Sequence, residues 1–126
     1  MRVVPYVVLL FLFLIVFAVY SVYYLNKSSA VMDDVISRLE EAVKIENWSE
    51  AEEILKVLEN KWVENKTYWA ILINHNEVDN IEQSIERIKQ YVRLNDPLEA
   101  SAETAGLRRY FLHIPENERL TIENIF

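Results

Sequence analysis

Residues 3–25 form an unbroken run of 23 positions without a charge, after which apolar residues return mostly at spacings of three or four among charged ones. At 1.5 Å per residue the run spans about 34 Å, enough to cross a hydrocarbon core of about 30 Å with some tilt. Tyr6 near one end and Tyr20, Tyr23 and Tyr24 near the other occupy places where a ring is half dry and its hydroxyl wet. The pattern predicts a transmembrane signal anchor over residues 1–27. Arg2 and the amino terminus flank one end, while Lys27 at the other is soon followed by Asp33 and Asp34. The positive-inside bias therefore predicts a single-pass protein of the cell membrane, with its N-terminus in the cytoplasm and residues 28–126 extracytoplasmic. A cleaved secretory signal has an apolar region of about 7–15 residues and a small-x-small site. This run is longer and ends in tyrosines, so the anchor is expected to be retained.

The remainder predicts an all-α protein: the anchor, then a four-helix domain made of two helical hairpins. Val31, Val35, Leu39, Ala42 and Val43 give a 3.6-residue stripe over about residues 29–45. Asn47 with Glu50, and Ser49 with Glu52, read as N-caps with their partners, opening a helix over about residues 49–64 on Trp48, Ala51, Leu55, Leu58 and Trp62. Thr67 can cap the next segment, which keeps a helical period from Trp69 to Leu94, with a break expected near Asn74, His75, Asn76 and Asn80. Asp96-Pro97-Leu98-Glu99 starts a last helix, which Pro115 is expected to stop.

An offset of 49 aligns Leu39 with Ile88, Val43 with Val92, Glu50 with Glu99, Ala51 with Ala100, Leu58 with Leu107 and Trp62 with Phe111. Either two hairpins follow one plan, resembling tetratricopeptide-type pairs in their Asn-Trp-x-x-Ala start, or shared caps alone produce the match. Two units are too few for a solenoid.

Composition narrows the function classes. Beyond residue 25 the chain carries 12 basic and 20 acidic side chains, so it has no basic stripe to neutralise phosphates, and nucleic acid is not an expected partner. It has no Cys and a single Gly, which removes disulfides, thiol nucleophiles and a glycine-rich phosphate loop. No enzyme activity and no cofactor are expected. Asn26-Lys27-Ser28, Asn47-Trp48-Ser49 and Asn65-Lys66-Thr67 match a glycosylation acceptor pattern but read equally as turn and cap chemistry.

Three features remain. His75, Asp79, Glu82 and Glu86 step by 4, 3 and 4 along one helix face, and with His113 from a neighbouring helix they form the only metal-like set. The same spacing is that of a solvated acidic face. Trp48, Trp62 and Trp69 step by 14 and 7, placing large aromatics either in the core or on a recognition surface. Residues 120–126 close the chain with Ile125 and Phe126, an apolar end expected to dock on the helices or on a partner.

The set Asn47-Trp48-x-x-Ala51, Trp62, Trp69, His75-x-Glu77-x-Asp79-Asn80-Ile81-Glu82, His113-Ile114-Pro115-Glu116 and Leu120-x-x-Glu123-Asn124-Ile125-Phe126 is similar to that of an uncharacterised bacterial family. Its members are small single-pass membrane proteins with a helical domain of unknown function. The resemblance implies an anchor plus a helical domain and carries no catalytic residue. The expected role is an interaction or scaffold module at the cell envelope, partnered by the lipid bilayer and by another protein or a second copy. A ligand- or metal-binding domain centred on His75, Asp79 and Glu82 is the alternative.

Overall fold

The computed structural model describes residues 2–125, with side chains described through Ile114. Four helices, α1 (Val3–Lys44), α2 (Trp48–Leu72), α3 (His75–Arg93) and α4 (Pro97–Ile125), make up an all-α chain. Among the described residues there is no strand. The anchor and the first domain helix are one helix: α1 runs unbroken through residue 27, because nothing between Leu25 and Val31 is a glycine or proline and the apolar stripe simply narrows from all round to one face. No position of its most apolar 18-residue window is buried, which makes this half of α1 a candidate membrane span. From Leu25 onward the same helix supplies a wall of the core through Met32, Ile36, Leu39 and Val43.

α1 and α2 form one hairpin, α3 and α4 the other, and α1 closes the ring by packing along α4. The offset of 49 holds down to single hydrogen bonds. At the end of α1 the amides of Asn47 and Glu46 reach the carbonyls of Ala42 and Val43, at 2.9 and 3.0 Å; at the end of α3 those of Asp96 and Asn95 reach Tyr91 and Val92, both at 3.0 Å. Both are Schellman caps, and both put a non-glycine residue in the left-handed region, Glu46 at φ 58° and Asn95 at φ 53°. Asn47 then caps α2 by accepting from the Glu50 amide, and Asp96 caps α4 by accepting from the Glu99 amide. Ser49 lies inside α2 and caps nothing. Burial follows the same offset, with Ala51 and Ala100, Leu58 and Leu107, and Trp62 and Phe111 all in the core.

The polar seams between the hairpins obey the offset with charges exchanged. Arg108 of α4 pairs with Asp33 and Glu40 of α1, at 2.6 and 3.3 Å, and both partners raise its already high pKa, Asp33 most. At the equivalent positions Glu59 of α2 pairs with Lys89 of α3 at 2.9 Å, which raises the lysine pKa through their hydrogen bond and charge. Position 108 is basic and its counterpart 59 acidic; position 40 is acidic and its counterpart 89 basic. Such half-exposed pairs contribute about 0.5–1 kcal/mol each. Glu59→Lys, which sets two cations against each other, is expected to lower the urea midpoint. Adding Lys89→Glu is expected to recover most of that loss, and a double-mutant cycle with no coupling would show that the seam is energetically silent.

Two expected boundaries move. α2 continues through residues 65–67 to Leu72, so Thr67 caps nothing; the Asn65 side chain is held instead by the Lys61 carbonyl at 2.7 Å and by Tyr24. The break falls where the Asn cluster begins, with Ile73 extended and Asn74 capping α3 by accepting from the Asn76 amide. Nor does Pro115 stop α4, which runs on to Ile125. Proline lacks the N–H that would bond to the carbonyl four residues back, that of Phe111. The buried Ser29 hydroxyl of α1 donates to that carbonyl in its place. The expectation for the apolar end lies outside the described residues, since the Ile125 side chain and Phe126 are not among them.

Candidate functional site

α3 begins at His75, so His75, Asp79 and Glu82 do lie on one helix, yet the structure does not bring them together with His113 as ligands. Among the described residues no group of three or more His, Asp or Glu side chains is placed to hold a metal ion. Glu82 turns toward α2, where the Lys66 ammonium pairs with it and the Trp62 indole N–H donates to it at 3.4 Å. His75 and Asp79 are exposed. His113 borders a separate groove of about 410 Å³ between α3 and α4, with Glu77, Arg109 and Tyr110.

Of the three tryptophans, Trp48 is half-buried at the start of α2 and the other two are in the core. Trp62, Trp69 and Phe111 form a closed aromatic cluster, edge to face, with ring centroids 6.0, 6.0 and 5.3 Å apart. The Trp69 indole N–H donates to the Ser28 hydroxyl, satisfying the one polar atom that a fully buried indole carries. In this packing neither Trp62 nor Trp69 offers its face to a partner.

Outside the candidate span, exposed apolar side chains lie at the α1–α2 and α3–α4 turns, at Ile45, Leu94 and Leu98, and in a patch where α1 enters the domain. Tyr20, Tyr23, Tyr24, Lys27, Ser28, Val31 and Asn65 line a groove of about 260 Å³ there. The Tyr24 hydroxyl donates to the Asn65 side-chain oxygen at 2.5 Å, and its ring lies 5.5 Å from that of Tyr68 at an interplanar angle of 52°. Beside them Tyr68 and Ile71 of α2 remain 58% and 69% exposed. The sequence signal for this corner was present: once Trp69 is assigned to the core, its neighbours at 68 and 71 must face outward at 100° per residue. The shallow grooves between α2 and α3 are instead bridged by the Glu59–Lys89 pair.

A family model described as a domain of unknown function, DUF4363, matches residues 19–125. The chain belongs to the DUF4363 family. The DUF4363 match begins within the apolar half of α1, so it includes the tyrosines at 20, 23 and 24 together with the whole bundle. No curated protein and no solved structure matches the chain.

Proposed function

We propose that this DUF4363 protein is a single-pass, membrane-anchored interaction or scaffold module of the bacterial cell envelope, with its N-terminus in the cytoplasm and its helical domain outside. One observation carries the reading: α1 is a single helix of 42 residues, about 63 Å long, whose most apolar 18-residue window is nowhere buried while its C-terminal half is part of the core. Apolar side chains left bare in water over such a length are compatible with a soluble fold only when another phase or partner covers them. Lipid fits, because the run is unbranched by any charge and is bounded by tyrosines. No observation favours the metal-binding alternative.

The chain has no Cys, so a single introduced thiol reports without background. Leu98, 82% exposed at the far end of the domain, suits it. In Leu98→Cys the full-length protein is expected to stay with membranes after an alkaline wash and to react with a membrane-impermeant maleimide in intact cells. Labelling only after lysis would invert the orientation, and release by the wash would remove the anchor.

A further inference from the structure

We infer that the corner where α2 meets α3 is itself a membrane-contacting surface, with Tyr68 and Ile71 seated in the interfacial layer of the bilayer that α1 crosses. The inference rests on the anchor reading and adds a second point of contact, made by the domain.

The argument is one of depth. α1 leaves the span upward and α2, after a tight turn, runs back down toward it. The ring contact between Tyr24 and Tyr68 sets those two residues at one height. Ile71, three residues further along α2, is then about 4.5 Å nearer the span. Glu64, four residues before Tyr68, is about 6 Å further from it. Residues 64, 68 and 71 share one face of α2, stepping by 4 and 3, and all three are exposed. Descending toward the bilayer, this face therefore reads carboxylate, phenol, aliphatic.

α1 shows the same order although its chain runs the opposite way. Going down it, exposed Lys27 is followed by the tyrosines at 24, 23 and 20 and then by exposed Val19 and Val16. Two antiparallel helices thus carry charged, aromatic and aliphatic tiers in one order, with Ile71 level with the lowest tyrosine of α1 and about 3 Å above Val19. That layering matches the passage from water through headgroups to hydrocarbon. The interfacial region is about 5–8 Å deep on each side, comparable with the distance between tiers. Lys27 and Lys66 are exposed at this end and are suited to headgroup phosphates, Lys66 while also pairing with Glu82. Tyr20 and Tyr23 line one groove with Ile15, Val16 and Val19 and another with Tyr24, whose ring meets that of Tyr68, so a lipid phase covering the span reaches Tyr68 as well. A soluble partner at Ile71 would have to share that surface with acyl chains.

The test uses the full-length chain in vesicles of phosphatidylcholine and phosphatidylglycerol containing nitroxide-labelled lipid, with an environment-sensitive fluorophore on one introduced Cys. Ile71 and Tyr68 are exposed, so Ile71→Cys and Tyr68→Cys leave the core intact. Leu12→Cys reports the span and Leu98→Cys the far end. The expected result is a blue-shifted label at 71 and 68 quenched by a shallow nitroxide more than by a deep one. At 12 quenching is expected to be strongest from the deep nitroxide, and at 98 absent. Quenching at 12 without quenching at 71 and 68 would overturn the corner contact while leaving the anchor standing. A label at 71 that is blue-shifted yet unquenched would also overturn it, since protein and not lipid then covers the site. Loss of quenching at 12 would overturn the anchor and with it this inference.

Discussion

Trp69→Ala is expected to remove about 3–5 kcal/mol of stability, the range for deleting a large aromatic from a packed core. Three losses fall together in this substitution. Trp69 is fully buried, so its whole indole volume becomes a cavity. Its edge-to-face contacts with Trp62 and Phe111 link α2 to α4, so the cavity opens at the centre of the bundle and not at its margin. The Ser28 hydroxyl, itself buried in α1, loses its indole donor. Small domains have a total stability of roughly 5–15 kcal/mol, so the variant is expected to be partly unfolded at 37 °C. Urea unfolding of the full-length protein in detergent, followed by fluorescence, measures this. Trp48→Ala is the internal control, since that ring is only half-buried. An equal midpoint for Trp69→Ala and wild type would show that the aromatic cluster does not hold the bundle together.

Lys27→Pro is expected to have the second-largest effect, about 3 kcal/mol or more at the helix itself. Lys27 is exposed, and its side chain contributes nothing to the core, so the substitution tests the backbone alone. Proline removes the amide that bonds to the Tyr23 carbonyl and drives its ring against that carbonyl, kinking α1 where the apolar run becomes domain. Leu25, Ser28 and Ser29 on either side are buried, so a bend there pulls apart the contacts with Trp69 and Phe111. Lys27→Ala, which keeps the helix, is expected to match wild type within about 0.5 kcal/mol. Should proline be tolerated as well as alanine, the span and the domain would behave as independent bodies joined by a pliable linker.

Helix content, the two hairpins and most of the core were legible in the sequence, because the 3.6-residue stripes of the domain are interrupted at residues 46–47, 73–74 and 95–96, each beside a capping Asn or Asp. What could not be read was continuity. Residues 26–30 look like a polar stop after the anchor, yet Ser28 and Ser29 are core residues whose hydroxyls serve Trp69 and the Phe111 carbonyl across the bundle. Their polarity is explained only by partners about 41 and 82 residues away in the chain, which no local pattern contains. Pro115 misled for the same reason: its missing amide leaves a carbonyl unserved, and the remedy comes from α1. At the candidate sites, spacing correctly put His75, Asp79 and Glu82 on one helix but could not show that Glu82 faces Lys66 and Trp62. The outward corner of α2 is legible only once Trp69 is assigned to the core, because residues 68–73 form an apolar stretch with no charged position to mark its wet face.

The exchanged charges between the hairpins bear on what happens when copies of the chain are brought close together. A first hairpin meeting the first hairpin of a neighbour sets Glu40 against Glu59, and two second hairpins set Lys89 against Arg108. Each half is therefore matched to the other half and mismatched to itself. The charges thus weigh against exchange of like halves between neighbouring copies, by the modest amount that part-exposed pairs contribute.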